Sequence, residues 1–277
     1  MQEAIAEDVQ EGGNLAWSER FPVEDSGDAV CAMTAIMPVC NEHILLEGTD
    51  DRLQFRRCNG LEEQWGTPWI DTDWRFGYGQ FREQFLQVLA RDEEGNVRLL
   101  ELDAGQGYTK RGEGVLVVSG ADAVTPALAR SEELMRLFAA VQVDETVSVY
   151  TSEDAGQTWA AKHSEIALTY PALWCDGQVL WLAGYIAEEY QGAQGRVLVW
   201  RYDALAEGLD ALGEEAIVGP SDKGRPGIIV HPALWEAIVL APKTTEWEAE
   251  GPLVAIAEYV SKDSGQSWTR RGFQAVT

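Results

Sequence analysis

An eight-residue pattern occurs twice in this chain and constrains its fold more than any other feature of the sequence. It reads Ser-x-Asp-x-Gly-x-Ser/Thr-Trp and occupies residues 152–159 and 261–268, called here the first box and the second box. Their fixed positions are Ser152, Asp154, Gly156, Thr158, Trp159, Ser261, Asp263, Gly265, Ser267 and Trp268. Aspartate and serine accept hydrogen bonds from backbone N–H groups in tight turns, and glycine takes backbone angles that other residues avoid. Each box therefore predicts a locked turn between two strands, with its tryptophan ring packed between sheets.

The two boxes belong to a longer repeat. Their aspartates lie 263 − 154 = 109 residues apart, which is about two periods of a supersecondary repeat. Degenerate copies keep only some of the fixed residues: Gly13 and Trp17; Gly60 and Trp65; Asp103, Gly105 and Tyr108; and Asp203. The glycines Gly13, Gly60, Gly105 and Gly156 are separated by 47, 45 and 51 residues. A repeat array is therefore predicted along the chain.

Between the copies, the apolar residues form short runs rich in Val, Ile, Leu and aromatic residues, bounded by turn residues. Such runs are typical of β-strands. The stretch LARDEEGNVRLLEL predicts a hairpin that turns at Gly95 and Asn96. Helical periodicity is weak and is strongest in residues 125–138 and 201–216. The predicted fold class is all-β.

Both boxes match, at every fixed position, the Asp-box of the sialidase-type β-propellers (the BNR repeat), and the chain resembles that family. The resemblance implies a single propeller domain over residues 1–277, with radial blades of up to four antiparallel strands. A period of about 46 residues favours six blades, with five as the alternative. The N-terminal residues would supply part of a blade, and residues 272–277 its missing first strand, which would close the ring and remove exposed edges. In that family the boxes are structural and lie away from the substrate pocket.

The resemblance also indicates what a catalytic site would need: three arginines that hold a carboxylate, a Tyr–Glu nucleophile pair and an Asp acid/base. The arginine candidates are Arg20, which is followed by Phe21 and Pro22, and two further residues, Arg130 and Arg225. Glu188, Glu189 and Tyr190 form the nearest Tyr–Glu group, in a stretch that reads as a polar hairpin tip. These candidates do not form a recognisable set, so catalytic residues are not assigned and a non-enzymatic role is favoured.

The charge and composition of the chain limit the classes of ligand and partner that it is expected to bind. The chain has 21 Lys and Arg against 46 Asp and Glu, a net charge of −25, which disfavours nucleic acid and anionic membranes as partners. His43, His163 and His231 are far apart in sequence and lack metal-ligand spacing, and no cofactor motif is present. The expectation is therefore no metal and no cofactor. Without an apolar signal segment or membrane-spanning run, cytoplasmic synthesis is expected, with association to a virus particle left open.

The four cysteines leave two alternatives. Cys31 and Cys40 would form a disulfide if they face each other across a hairpin. The favoured interpretation is that all four, including Cys58 and Cys175, are buried free thiols.

One aromatic-rich segment stands out among the 11 tryptophans. Residues 65–81 form a candidate recognition loop whose leading residues are Trp65, Trp69, Trp74, Arg75 and Tyr78. Aromatic faces stack on sugars and anchor protein interfaces; the alternative is a packed connection between blades. The functional hypothesis is a non-catalytic propeller that recognises a glycan or a protein, for example as a phage tail or receptor-binding subunit. The alternative is a sialidase-like exo-glycosidase with a degenerate signature.

Overall fold

The structure is a computed structural model. It describes residues 31–37, 42–48, 52–59, 69–71, 73–82, 84–120, 126–186, 195–204, 214–221, 225–231, 236–247 and 251–275.

Five antiparallel sheets follow one another along the described chain, each built from consecutive strands. The first contains β1 (Cys31–Met37), β2 (Glu42–Gly48), β3 (Leu53–Asn59) and β4 (Trp69–Asp71). The second contains β5 (Trp74–Arg82), β6 (Phe85–Asp92), β7 (Val97–Asp103), β8 (Thr109–Lys110) and β9 (Val115–Val118), with a 3₁₀ turn at Ala104–Gln106. The third contains β10 (Ala127–Ser131), β11 (Arg136–Val143), β12 (Thr146–Ser152) and β13 (Ala160–Ile166). The fourth contains β14 (Thr169–Asp176), β15 (Val179–Ile186), β16 (Arg196–Asp203) and β17 (Glu214–Pro220). The fifth contains β18 (Gly227–His231), β19 (Glu236–Trp247), β20 (Gly251–Ser261) and β21 (Thr269–Ala275).

The core lies between consecutive sheets. Four clusters of buried apolar side chains each join one sheet to the next. The clusters contain, from successive sheets, Leu53 and Leu86 in the first, Leu89 and Leu137 in the second, Phe138 and Leu182 in the third, and Trp181 and Val239 in the fourth. The second strands β6, β11 and β15 are buried over almost their whole length, because a sheet with neighbours on both faces has no solvent side. Their near-continuous apolar sequence follows from this position.

The first strands of the sheets contact one another in order: β1 with β5, β5 with β10, β10 with β14, and β14 with β18. Antiparallel sheets packed face to face, with their first strands gathered on one side, form the β-propeller that the sequence predicts. The predicted hairpin at Gly95 and Asn96 is confirmed as the connection between β6 and β7. The N-terminal part of the sixth blade was predicted in residues 4–21, which lie outside the described part of the chain.

Two expectations are corrected. Residues 272–275 belong to β21, the fourth strand of the fifth sheet, and pair with β20, so they do not supply a first strand to an N-terminal blade. The reason is the second box: it ties the end of β20 to the start of β21, so the residues that follow are committed to the fourth strand. The helical periodicity in residues 125–138 is also misleading, because residues 127–131 and 136–138 are in strands β10 and β11.

Candidate functional site

The two ends of the propeller carry different connections. Because successive strands run in opposite directions, the first strands begin at the same face at which the second-to-third hairpins turn. We call this the mouth face. The opposite face, called the box face, carries the first-to-second hairpins and the connections from the third to the fourth strand. Both boxes are connections of this last kind, between β12 and β13 and between β20 and β21.

The first box forms the predicted hydrogen-bonded turn. Asp154 accepts the backbone N–H of Thr158 at 2.8 Å and its hydroxyl at 2.6 Å. Ser152 donates its hydroxyl to the Asp154 carboxylate at 2.8 Å and accepts the Gly156 N–H at 2.8 Å. Trp159 donates its indole N–H to the Gly156 carbonyl at 3.1 Å. These bonds satisfy the turn's polar groups from within the box.

The second box repeats the arrangement bond for bond. Asp263 accepts the Ser267 N–H at 2.9 Å and also its hydroxyl. Ser261 donates to the Asp263 carboxylate at 2.7 Å and accepts the Gly265 N–H at 2.7 Å, and Trp268 donates to the Gly265 carbonyl at 3.1 Å. All ten box residues take part in these hydrogen bonds, and their purely structural role stays a prediction.

Each box also packs against the preceding sheet. The Gly156 backbone has φ +92° and lies so close to Leu99 of β7 that an added Cβ would be 2.5 Å from that side chain. Gly265 has φ +86°, and an added Cβ would be 2.6 Å from the Trp181 ring of β15. Arg201 of β16 donates to the Ser264 carbonyl, with its guanidinium carbon 5.4 Å from the centroid of the Trp181 ring. The sequence did not point to Leu99, Trp181 or Arg201, since nothing in the local pattern says which neighbour a turn will meet.

The degenerate copy at Asp103 keeps part of the design. It lies between β7 and β8, again a connection from a third to a fourth strand. Asp103 accepts the Gly105 N–H at 3.0 Å through its carboxylate and the Tyr108 N–H at 2.7 Å through its carbonyl. Tyr108 stands at the position of the missing tryptophan, five residues after Asp103. Its side chain is 2% exposed and packs on Phe55 at a centroid distance of 5.0 Å. Asp203 ends β16, and residues 205–213, which follow it, lie outside the described part of the chain.

The box carboxylates predict an acid-sensitive contribution to stability. Hydrogen bonds from Thr158 to Asp154 and from Ser267 to Asp263 lower the pKa of each carboxyl to about 2. In the unfolded chain the pKa of Asp is about 3.9. A lowered folded-state pKa gives stability that is present above pH ~4 and is lost as the pH falls through about 2. We expect urea midpoints to fall between pH 4 and pH 2, and to fall less in the double variant Asp154→Asn, Asp263→Asn. Equal pH slopes in parent and variant would contradict this assignment.

The mouth face brings together a guanidinium and an aromatic ring from distant parts of the chain. Arg225, just before β18, donates to the Pro126 carbonyl at 2.7 Å, and its guanidinium carbon lies 5.2 Å from the centroid of the Tyr78 ring. It thereby links the fifth, third and second sheets. Near the start of β14, the Tyr170 N–H donates to the Gln142 side chain at 2.6 Å. Arg75 of β5 forms an ion pair with Glu93 at 3.4 Å.

Arg130 lies elsewhere. It is the fourth residue of the five in β10, next to the first-to-second hairpin, and pairs with Glu132 at 2.8 Å. Arg130 is four residue steps along the strand from Pro126, or about 13 Å. Arg130 and Arg225 are therefore at opposite ends of the first strands and do not converge on one carboxylate. Arg20, Glu188, Glu189 and Tyr190 fall outside the described residues.

The candidate recognition loop is largely strand. Trp69 lies in β4, whereas Trp74, Arg75 and Tyr78 lie in β5; Trp65 is not among the described residues. Trp74 is 4% exposed and belongs to the core between the first two sheets, so its ring faces are covered. Arg75 and Tyr78 are half-buried at the mouth face.

Two described groups with a raised pKa, Asp176 and Cys175, lie away from the mouth face. In the described ranges, no three His, Cys, Asp or Glu side chains lie where they could hold a metal ion. Burial raises the pKa of Asp176, but this carboxyl lies at the hairpin between β14 and β15, on the box face. Cys175 is a half-buried free thiol whose pKa burial raises to about 12. The alternative Cys31–Cys40 disulfide includes Cys40, which lies outside the described residues.

The described part of the chain has no helix of a length and apolarity that would span a bilayer.

The comparisons with known proteins bear on the fold. No protein-family model and no curated protein sequence matches this chain. Among solved structures, the phage phi92 endosialidase matches with a TM-score of 0.59 and 9% identity, over 94% of this chain and 62% of that one. TolB from Acinetobacter baumannii matches at 0.56 and 10%, over 88% of this chain and 53% of that one. An exo-1,5-α-L-arabinanase from a bovine ruminal metagenomic library matches at 0.55 and 12%, over 91% of this chain and 100% of that one. At such identities the likeness is one of fold, and this chain folds as a β-propeller.

Proposed function

We propose that this chain is a non-catalytic β-propeller that binds a glycan or a protein partner and so acts as a recognition or structural module. The observation that carries the proposal is the arrangement of the candidate arginines. Arg225 is held by the Pro126 carbonyl and the Tyr78 ring, and Arg130 is paired with Glu132 at the other face. A carboxylate-clamping site needs guanidiniums that converge, since each charge-assisted hydrogen bond depends on geometry.

The mouth face supplies the chemistry of recognition. Tyr78 offers an aromatic ring that can pack on the apolar face of a sugar or on an apolar side chain. Arg75 and Arg225 offer hydrogen-bond donors beside that ring. Two of the structural neighbours are named as enzymes that act on glycans, an endosialidase and an arabinanase. We extend to this chain the use of such a propeller for glycan contact, without the catalytic step.

The phage origin of one neighbour supports a particular version of the proposal. The phi92 endosialidase is a phage protein by its name, and we propose that this chain serves in a virus particle as a tail or receptor-binding subunit of Asp-box type. The alternative is a sialidase-like exo-glycosidase with a degenerate signature. It is favoured by Arg225, which lies at the mouth face where the first strands begin, and it needs further arginines and a Tyr–Glu pair beside that residue.

The test is an incubation of the purified chain with a mixed glycan library, read by mass spectrometry for captured and cleaved species. We expect capture without cleavage. Cleaved sialosides would overturn the non-catalytic proposal in favour of the glycosidase. If neither capture nor cleavage is seen, the glycan branch is wrong and recognition of a protein in an assembly is what remains to be tested.

A substitution at the mouth sharpens this test. We expect Arg75→Gln to weaken capture about tenfold, because a hydrogen bond from a charged donor contributes roughly 1.5–3 kcal/mol. Arg111→Gln is the matched control: Arg111 is also ion-paired, to Glu101 at 2.9 Å, but it directly follows β8, away from the mouth. Binding constants for parent and variants come from titration of the captured glycan. Equal losses in both variants would contradict recognition at the mouth.

A further inference from the structure

A second site lies on the outer side of the propeller, between the fourth and fifth sheets. It is a cleft of about 360 Å³. Residues of the third and fourth strands of both sheets line it, together with Trp268 of the second box. No residue of the first strands lines the cleft, whereas Arg75 and Tyr78 of the surface proposed above lie in first strand β5, so the two sites share no residue.

The walls of the cleft are apolar. Val218 and Ala257 are 7% and 1% exposed. Gly219 has no side chain, and a Cβ there would lie 2.3 Å from the ring of Tyr259, so that ring packs directly on the backbone of β17. Trp268 supplies a second aromatic surface, half-buried beside the cluster between these two sheets.

The polar atoms of the two aromatic residues are already used inside the protein. Tyr259 donates its hydroxyl to the Pro220 carbonyl at 2.8 Å, and Trp268 donates its indole N–H to the Gly265 carbonyl at 3.1 Å. A polyhydroxylated sugar needs several partners for its hydroxyls, and burying them without partners is costly. The walls therefore favour an apolar group over a sugar.

The rim of the cleft is positively charged, in contrast to its apolar walls. Arg196 and Arg270, both exposed, line the cleft. In a chain with 21 Lys and Arg against 46 Asp and Glu, two guanidiniums beside one apolar cleft form a local positive site. Guanidinium groups bind carboxylates through paired, charge-assisted hydrogen bonds. The ligand that matches both parts is an apolar group that bears a carboxylate.

We propose that this cleft binds the carboxyl-terminal residue of a partner polypeptide, with its apolar side chain on the aromatic walls and its terminal carboxylate at Arg196 and Arg270. The proposal rests on the binding role proposed above and names a partner for its protein branch. In a C-terminal residue the apolar side chain and the terminal carboxylate are joined through one Cα. The side chain can therefore contact the apolar walls while the carboxylate contacts the arginines at the rim. The exposed rim lets the rest of the partner chain leave toward solvent. Capture of a terminal carboxylate is a known mode of peptide recognition.

The test uses three peptide probes: acetyl-Gly-Gly-Phe with a free C-terminus, the same peptide as its C-terminal amide, and acetyl-Gly-Gly-Ala with a free C-terminus. Binding to the full chain is measured by titration with NMR detection. We expect the free acid of the phenylalanine peptide to bind at least about tenfold tighter than its amide, because the amide lacks the charge that the arginines recognise. The alanine peptide is expected to bind more weakly than the phenylalanine peptide for lack of apolar area.

Substitutions of the two arginines test whether the peptide binds in the cleft. Arg196→Gln and Arg270→Gln are each expected to weaken binding of the free acid about five- to tenfold. Arg271→Gln is the control, since Arg271 is the next residue along β21 and lies near Glu236 and Glu258, at 3.9 and 3.8 Å. Thermal unfolding of each variant shows whether it is folded.

Several results would overturn the proposal: equal binding of acid and amide, unchanged binding in both cleft variants, or an equal loss in the Arg271 control. Phenylacetate that binds as tightly as the peptide would mean a small-molecule site, and methyl glucuronide that binds more tightly than the peptide would mean an acidic-sugar site. Glycan capture at the mouth is read separately through Arg75→Gln. If the peptide does not bind while glycan capture is intact, only this inference is removed. If neither peptide binding nor glycan capture is seen, the glycan branch of the proposed function is removed as well.

Discussion

Gly265→Ala is expected to lower the free energy of unfolding by about 3 kcal/mol, because strain and overlap add at this position. The backbone of Gly265 has φ +86°, which a side chain disfavours, and a Cβ would lie 2.6 Å from the Trp181 ring. That ring cannot withdraw easily, since it is 2% exposed and Arg201 lies over it. The second box would have to move away from the fourth sheet. Urea unfolding followed by tryptophan fluorescence measures the change.

Gly112→Ala separates strain from overlap. Gly112 also has a left-handed φ, +72°, but an added Cβ there meets nothing within 4 Å. Because only the strain of a left-handed backbone remains, we expect Gly112→Ala to lower the free energy of unfolding by about 1 kcal/mol. If the two alanine variants lose the same stability, the contact between the second box and Trp181 carries no weight and the box is only a local turn.

The local part of the fold could be predicted from the sequence. The offsets among Ser152, Asp154 and Gly156 specify a turn whose partners all lie within the box, so short-range chemistry was enough to derive it. The same holds for the strand class, because two-sided burial leaves near-continuous apolar runs in strands such as β11.

The long-range part could not be derived in this way. Arg225 reaches the Pro126 carbonyl 99 residues away in sequence, and no local pattern reveals such a contact. Trp74 reads as a recognition residue because it lies among Gly and Asp, yet the packing of the first two sheets buries it. The ring closure was misplaced for a related reason: the strand that residues 272–275 join is decided by the turn before them, and the composition of the segment does not reveal it.

No sequence motif indicates the cleft between the fourth and fifth sheets. Arg196 and Arg270 are 74 residues apart and belong to different sheets, and neither lies in a binding motif. Only the packing of the fourth sheet on the fifth places them beside the same aromatic walls. Functional residues of a propeller that lie between blades will in general escape a search for motifs, because each blade contributes only one or two of them.

Trp181→Ala is expected to have the largest effect, a loss of about 4 kcal/mol in the free energy of unfolding, because it removes a buried ring and leaves a cavity between two sheets. The ring belongs to the cluster that joins the fourth and fifth sheets and is also the surface on which Gly265 rests. These two roles make the Trp181 and Gly265 substitutions interdependent. In the Trp181→Ala background the obstacle to a Cβ at residue 265 is gone, so the double variant is expected to be more stable than the sum of the single losses by about 1–2 kcal/mol.

Phe138→Ala is the matched control for this cycle. Phe138 is likewise fully buried, but it belongs to the cluster between the third and fourth sheets. Its loss is expected to add to that of Gly265→Ala within about 0.5 kcal/mol, as for residues that share no contact. Coupling at Trp181 together with additivity at Phe138 would mean that the second box acts as a clamp between neighbouring sheets. Additivity in both cycles would mean that the turn and the sheet interface are stabilised independently, and the repeated boxes would then have to be explained by the turn alone.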